Sequence, residues 1–323
     1  MTLSRRAVLG TGLALPLAAR LGRTTWAEEP VTIKMGVLKL VHSITPYFYE
    51  KFLPTNYKIE IIPFSTPTDG KDAVVTQSVD YGTFGIAAAI LGAASNQPVV
   101  VYGSECNKGM AVVARKDDAA INAITDLKGK KIGILTGTTQ QVFFRERLRM
   151  VGMTDDDIVS IRVAFADMPA ALVRGDIDAY VGAEPGPSLS VVSGVGKIVE
   201  YPYSTPMGSL NMVLATNRDR LAQKPEEVLM MLGLQRQASE YAMAHPDEIV
   251  SMTVAKLGLD KTAVAAAVGN VELNWEMTPL MVTEVKAYAD HMLELRQIRN
   301  LPDFDVLLDA APSDKLEIGR AHV

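Results

Sequence analysis

The 323-residue chain contains a single cysteine, Cys106, and only four histidines. One cysteine excludes an intrachain disulfide, and no two of the histidines stand at the helical spacing of a metal site. The sequence also lacks a glycine-rich phosphate loop with a lysine and a nucleophile-elbow motif. We therefore expect no metal and no cofactor.

Long hydrophobic segments are also missing. The apolar run Ala7–Ala19 is too short to span a bilayer, and it follows the pair Arg5 and Arg6. Together with Thr25-Trp26-Ala27, a plausible cleavage site, this pattern predicts a twin-arginine-like export signal over residues 1–27. The export signal predicts a periplasmic protein. Because no cysteine ends the signal, the mature protein is also expected to be soluble and free of a lipid anchor.

Positive charge is scarce after the signal. Beyond Ala27 the chain has 28 lysines and arginines against 37 acidic residues, which gives a net charge of −9. An acidic body argues against nucleic acid or an anionic membrane as a partner. The last seven residues, 317–323, resemble read-through of a sequencing adapter, so we expect a non-native tail there.

Strand and helix patterns alternate through most of the chain and become helical after residue 225. Such alternation predicts parallel sheets with helices on both faces. If strands Met110–Arg115 and Asn211–Thr216 are crossovers, the chain forms two lobes with a cleft and a hinge of two strands. The expected division is residues 28–114 with 216–316 for lobe one, and residues 115–215 for lobe two.

The segment from Leu127 to Arg149 predicts a buried strand, a turn of small residues and an amphipathic helix. Free N–H groups at a helix N-terminus, together with the hydroxyls of Thr138 and Thr139, would bind an anionic or strongly polar group. A second interpretation is that Thr138 only caps the helix.

Ligands of open α/β sheets bind beyond the carboxyl ends of the strands, so the loops there supply the candidates. His42 could donate to an oxyanion or be a solvated loop histidine. Glu184 could accept from a ligand N–H group or cap the next helix, and Phe84 could line the site or belong to the core. The complete set of candidate ligand-binding residues is Lys39, His42, Ser43, Phe84, Gly85, Thr136, Thr138, Thr139 and Glu184.

Four ordered stretches, Val79–Gly85, Thr125–Ile134, Ala170–Ala179 and Ala183–Pro185, carry a family resemblance. They resemble the periplasmic substrate-binding proteins of ABC importers in the nitrate, sulfonate and taurine group, the NMT1/THI5-like family. The resemblance implies a type II periplasmic-binding-protein fold, a solute held between the lobes, and a membrane permease as partner. The family pattern commonly has aromatic residues where this chain has Ala183 and Gly186, so its site is expected to be roomier.

Three functions follow from these features. The first is a monomeric, non-enzymatic receptor that captures a small polar or anionic solute (sulfonate, nitrate-like, carboxylate or zwitterion) and delivers it to an ABC permease. The second is an enzyme on the same fold, acting on a small nitrogen heterocycle with His42 or Glu184 as acid or base. The single cysteine excludes the multi-cysteine motif of pyrimidine-synthesising relatives. The third is a sensor subunit of a membrane signalling system.

Overall fold

The structure is a computed structural model that describes residues 29–320. The predicted export signal at 1–27 lies outside these residues. The predicted tail lies partly inside them, since Glu317–Arg320 continues the last helix and residues 321–323 are beyond the described part. Nothing in the structure tests the origin of that tail.

The described residues form two β-sheets. The first sheet has the order β11-β4-β10-β3-β1-β2 and consists of β1 (Val31–Leu38), β2 (Tyr57–Phe64), β3 (Tyr81–Gly85), β4 (Val99–Lys108), β10 (Leu210–Asn217) and β11 (Val271–Leu273). The second has the order β7-β6-β8-β5-β9 and consists of β5 (Met110–Arg115), β6 (Lys131–Ile134), β7 (Val159–Arg162), β8 (Ala179–Ala183) and β9 (Gly196–Glu200).

Helices cover both faces of each sheet, and four apolar clusters fill the space between them. The helices are α1 (Pro67–Val75), α2 (Ile86–Ala94), α3 (Thr139–Met150), α4 (Met168–Arg174), α5 (Gly186–Val192), α6 (Arg218–Gln223), α7 (Pro225–Ala244), α8 (Pro246–Leu257), α9 (Lys261–Val268), α10 (Pro279–Glu294), α11 (Phe304–Leu307) and α12 (Ala311–Arg320). Two short 3₁₀ segments, Val41–Ser43 and Thr45–Lys51, follow β1.

Short polar side chains fix several helix starts. The hydroxyls of Thr66 and Thr278 accept from backbone N–H groups three residues later, at 3.2 and 3.1 Å. A carboxylate oxygen of Asp260 does the same at the start of α9, at 2.8 Å. These bonds satisfy donors that the first helical turn leaves unpaired, which explains why the helices begin where they do.

The expectation of parallel sheets is only partly correct. Strands β1, β2 and β3 run parallel, as do β6, β7 and β8, but β10 and β5 are inserted antiparallel in their sheets. The two sheets therefore repeat one arrangement of three parallel strands followed by one antiparallel strand. In each sheet the antiparallel strand is the one that the chain enters on arriving from the other sheet.

The chain changes sheets at different residues from those expected. Strand Met110–Arg115 pairs entirely within the second sheet, and strand Leu210–Asn217 entirely within the first. The first crossing therefore lies at Gly109, between β4 and β5, rather than near Ala114. The second lies in residues 201–209, between β9 and β10, rather than near Thr216.

Side chains of the two units pack against each other beside the crossings. The ring of Phe143 on α3 meets that of Tyr288 on α10 edge-on, with centroids 5.3 Å apart. On the same pair of helices, Glu146 and His291 bring Oε2 and Nδ1 within 3.2 Å. These contacts fix the position of the α3 N-terminus relative to the first sheet.

Candidate functional site

A cavity of about 180 Å³ opens between the two units. It lies beyond the carboxyl ends of β1, β2, β7 and β8, where ligands bind in open α/β sheets. The first unit lines it with Lys39, Leu40, Ser65 and Leu259, and the second with Phe165, Ala166, Pro169, Ala183, Pro185, Gly186 and Leu189. Among the candidates from the sequence, Lys39 lies on this cavity, and Glu184 stands between two residues that line it.

Lys39 provides the charge at the cavity. It follows β1 directly and is exposed, and no other charged residue lines the cavity within the described part of the chain. Its ammonium group has no ion-pair or hydrogen-bond partner between residues 29 and 320. Three N–H donors are therefore available to an anion. The rest of the lining is mainly aliphatic or aromatic, so the site combines one cation with an apolar surface.

Glu184 is buried and uses its carboxylate within the protein. It accepts hydrogen bonds from the backbone N–H and the hydroxyl of Ser188, at 3.1 and 3.0 Å, and from the Asn270 amide at 2.8 Å. Burial raises the pKa of the Glu184 carboxyl, and these three hydrogen bonds oppose the rise. Glu184 therefore accepts from a backbone N–H group in the first turn of α5, although Pro185 occupies the N-cap position. Because Asn270 precedes β11, Glu184 also joins the two units.

His42 lies at the first crossing between the sheets, where it is fully buried. A Cβ built on Gly109 would stand 2.1 Å from Nε2 of His42, so only glycine fits beside the ring. Neither ring nitrogen makes a hydrogen bond of ordinary geometry among the described residues, although the backbone of Lys108 and Gly109 lies close to the ring. Burial lowers the pKa of the imidazole from 6.5 to about 4, although the backbone of Gly109 and Lys108 opposes this shift. His42 does not line the cavity, and the solvated-loop interpretation is wrong.

Three other candidates are buried, Ser43 within the first unit and Gly85 and Thr139 where the two units meet. The hydroxyls of Ser43 and Thr83 are 2.8 Å apart in the first unit. Thr139 of α3 donates from Oγ1 to the carbonyl of Asn211 at 3.3 Å. A Cβ on Gly85 would be only 2.5 Å from Oγ1 of Thr139, so the missing side chain permits this approach. Thr139 thus joins the second unit to the first, and the Ser43–Thr83 pair belongs to the first unit alone.

Residues at the N-terminus of α3 satisfy part of its hydrogen-bonding capacity. The Thr138 hydroxyl accepts from the N–H of Gln141 at 3.3 Å and donates to the carbonyl of Leu135 at 2.7 Å. The side chain of Gln141 folds back and accepts from the N–H of Gly137 at 2.8 Å. The capping interpretation of Thr138 is thus confirmed. Thr136 remains exposed, and ligand binding by these threonines stays a prediction.

Phe84 belongs to the core of the first unit. It is completely buried within an apolar cluster on one face of the first sheet. Cβ atoms built on Gly70 and Gly82 would lie 3.4 and 3.3 Å from its ring. The core interpretation is therefore correct, and Phe84 does not line the cavity.

Sequence reasoning missed most of the apolar lining. Leu40 and Phe165 follow strand ends, where a search for apolar as well as polar residues would have found them, whereas Pro169 and Leu189 lie within α4 and α5. Leu259 lies between α8 and α9, far along the chain, and carries no local signal.

Other kinds of site find no support in the described residues. Between residues 29 and 320, no three histidine, cysteine or carboxylate side chains are grouped so that they could hold a metal ion. No helix in that range is at once long and apolar enough to cross a membrane.

Two α/β units joined by two crossings, with a cavity at facing strand ends, define a periplasmic-binding-protein-like fold. The NMT1/THI5-like family model matches residues 52–249, which is more than half of the chain. The chain therefore belongs to the NMT1/THI5-like family.

Curated relatives of the chain carry two kinds of name. It is 27% identical over 213 residues to the 4-amino-5-hydroxymethyl-2-methylpyrimidine phosphate synthase of Aspergillus parasiticus, covering 62% of this chain and 60% of that protein. It is 26% identical over 197 residues to a putative aliphatic sulfonates-binding protein of Escherichia coli K12, covering 58% and 61%. The matches thus span about three fifths of each relative.

Solved structures agree over a longer part of the chain. The alkanesulfonate-binding protein of Xanthomonas axonopodis pv. citri bound to MOPS matches with a TM-score of 0.73 and 19% identity, covering 86% of this chain and 96% of that one. The periplasmic nitrate-binding protein of Synechocystis PCC 6803 matches with a TM-score of 0.72 and 15% identity, covering 91% and 89%. At these identities the likeness establishes the fold.

Proposed function

We propose that the chain is a substrate-binding protein that captures a small polar or anionic solute between its two units and delivers it to an ABC permease. The observation that carries the proposal is the cavity between the units, with the unpaired ammonium of Lys39 at its lining. A solute there touches both units at once. It therefore favours the arrangement in which they are together, and ligand-driven closure is a shift of that population.

The proposal extends to the cellular setting. Residues 1–27 export the chain by a twin-arginine route, and the mature protein acts in the periplasm as a soluble monomer without a lipid anchor. The boundaries between the two lobes lie at Gly109 and in residues 201–209, in place of the expected boundaries at residues 114 and 215. The relatives named as sulfonate- and nitrate-binding proteins support a solute of that kind.

The test uses the chain from Glu28 onward. Thermal shift against a library of sulfonates, carboxylates, nitrate, amino acids and nitrogen heterocycles identifies a ligand, because a solute that binds the folded state raises its stability by about 2.7 kcal/mol at 100 times Kd. Small-angle scattering with that ligand should show a smaller radius of gyration, and mass spectrometry should recover the ligand unchanged. Stabilisation by no member of the library would count against the receptor.

An enzymatic role is the second candidate, and it is favoured by the relatives named as pyrimidine phosphate synthases. His42 and Glu184, the residues that would act as acid or base, are both buried, and neither lines the cavity. The carboxylate of Glu184 accepts hydrogen bonds from Ser188 and Asn270 instead. Incubation of the ligand with the protein, followed by chemical analysis, separates the two functions. A chemically changed solute supports the enzyme, and an intact one supports the receptor.

A further inference from the structure

Hydrogen bonds tie the two crossings between the sheets to each other. The first crossing is Gly109, and the second is residues 201–209. On the first-unit side, the N–H group of Lys108 donates to the carbonyl of Ser209 at 2.7 Å, and the side-chain amide of Asn211 donates to the carbonyl of Lys108 at 2.6 Å. The last residue of β4 is therefore attached to the end of the second crossing and to the beginning of β10.

On the second-unit side, the crossings are tied by the side chain of Tyr203. Its hydroxyl accepts a hydrogen bond from the N–H group of Met110 and donates one to the carbonyl of Met110, both at 2.9 Å. Met110 begins β5 and is buried, and the pairing of β5 with β9 extends only from Val112 to Arg115. The Tyr203 hydroxyl thus satisfies two backbone groups that β9 does not reach, because a hydroxyl both donates and accepts.

The ring of Tyr203 is held by aromatic neighbours. It meets the ring of Phe143 on α3 edge-on, with centroids 6.3 Å apart, and Phe143 in turn meets Tyr288 on α10. Burial raises the pKa of the Tyr203 hydroxyl, so the group keeps the proton that it donates to Met110. Tyr203 is therefore fixed both through its ring and through its hydroxyl.

Gly109 is bonded to a different unit on each side. Its N–H group donates to the carbonyl of Asn270 in the first unit at 2.8 Å, and its carbonyl accepts from the N–H group of Glu184 in the second at 2.9 Å. The peptide group before Gly109 therefore belongs with the first unit, and the peptide group after it with the second. Rotation at this crossing takes place about φ and ψ of Gly109, whose φ of +74° lies in a region that glycine adopts readily.

The corresponding stretch of the second crossing is longer. Residues 204–208 lie between Tyr203 and Ser209, and Gly208 among them has a φ of +59°. Hinges absorb changes of backbone angle at a few such loop residues. Because the crossings are held together on both sides of these residues, they cannot slide past each other, and the units move by bending at Gly109 and residues 204–208.

We propose that Tyr203 is a positioning residue of the hinge, whose hydroxyl holds the second crossing against the first and confines bending to Gly109 and residues 204–208. The motion that it guides is the closure on which the proposed receptor function rests. The role of Tyr203 itself is defined by contacts at the crossings and involves no solute.

A pair of matched variants tests the role of the hydroxyl. Tyr203→Phe keeps the ring and its contact with Phe143, so the variant should fold. Tyr201→Phe is the control, because the Tyr201 ring stacks on that of Tyr203 with centroids 6.3 Å apart but is exposed. Hydrogen exchange of the Met110 amide, measured by NMR on the chain from Glu28 onward, should become about tenfold faster in Tyr203→Phe and change by less than about twofold in Tyr201→Phe.

Two spin labels measure the distance between the units in the same proteins. Lys58→Cys on β2 and Val173→Cys on α4 carry the labels, since both positions are exposed and the native Cys106 is buried. Double electron–electron resonance then gives the distribution of distances between the labels. In Tyr203→Phe the distribution should widen and extend to longer distances, whereas in Tyr201→Phe it should match that of the wild type.

Urea denaturation of the same samples separates a hinge role from a loss of stability. A residue with only a structural role would lower the urea midpoint in Tyr203→Phe and leave the distance distribution unchanged, and that result would overturn the proposal. Equal effects of the two substitutions, or unchanged exchange of the Met110 amide, would overturn it as well. Since no solute enters these measurements, the hinge role can fail while the receptor function stands, and a failed solute screen leaves the hinge role intact.

Discussion

The buried histidine at the crossing between the sheets makes folding stability depend on pH. In the folded protein His42 has a pKa of about 4, because burial disfavours its charged form, whereas its ordinary value is 6.5. Between these values the unfolded chain binds a proton that the folded protein does not. Stability therefore falls as the pH drops from 6.5 to 4, and it is unaffected by this group above 6.5.

The size of the effect follows from the pKa difference. About 2.5 pKa units correspond to about 3 kcal/mol once the pH is below both values, and about 2 kcal/mol of that is already lost at pH 5. Replacing the imidazole by a group that does not titrate, in His42→Gln, removes this dependence. The absolute stability of the variant also changes, but the comparison concerns only the change with pH.

Urea denaturation of wild type and His42→Gln at pH 7.5, 6.5, 5.5 and 5 measures this change of stability with pH. Burial raises the pKa of Glu105 and of Glu184, which makes the protein gain stability on acidification, the opposite sign. Both carboxyls are present in both proteins, so their contributions cancel in the difference. Wild type should lose about 2 kcal/mol more than His42→Gln between pH 7.5 and 5. Parallel stability curves would refute the assignment of His42 as a buried neutral group.

Three further predictions concern the contacts that hold the two units and α3. Gly109→Ala should lower the free energy of unfolding by more than about 2 kcal/mol in urea titrations, because it combines a φ of +74° with a clash against His42; a neutral change would show that the crossing relaxes freely. Thr138→Ala should cost about 1 kcal/mol in thermal unfolding through loss of the α3 cap, and Thr138→Ser should restore most of it. Asn270→Ala removes a hydrogen bond to Glu184 between the units, so the radius of gyration from small-angle scattering should increase, and an unchanged value would mean that other contacts hold the units together.

Local sequence patterns predicted most of the elements. Strand β1 and helices α2 and α7 form where the sequence has apolar patterns, which are local properties of the chain. The direction of β10 could not be read in this way. Its residues are apolar and buried in either direction, and only the position from which the chain returns to the first sheet makes it antiparallel.

The crossing points were misplaced for a related reason. Strand Met110–Arg115 looks the same in sequence whether it connects the sheets or belongs to one of them, since a buried strand is apolar in both cases. What distinguishes the crossing is Gly109, whose φ of +74° turns the chain, together with the ring of His42 packed against it. That partner is 67 residues away, so no window of sequence contains the signal.

Which polar side chains can bind a ligand depends on whether each one still has a free donor or acceptor after folding. Thr138, Thr139 and Glu184 all have the chemistry to bind a ligand, but the fold pairs them with Gln141, Asn211 and Asn270. A ligand that used them would first have to break these bonds, and a buried group left unpaired costs about 1–3 kcal/mol. The ammonium of Lys39 has no such bond to give up within the described chain, so an anion can bind it without breaking a hydrogen bond of the protein. Recognition should therefore depend on Lys39 more strongly than on the buried threonines, even though the threonines gave the clearer motif in the sequence.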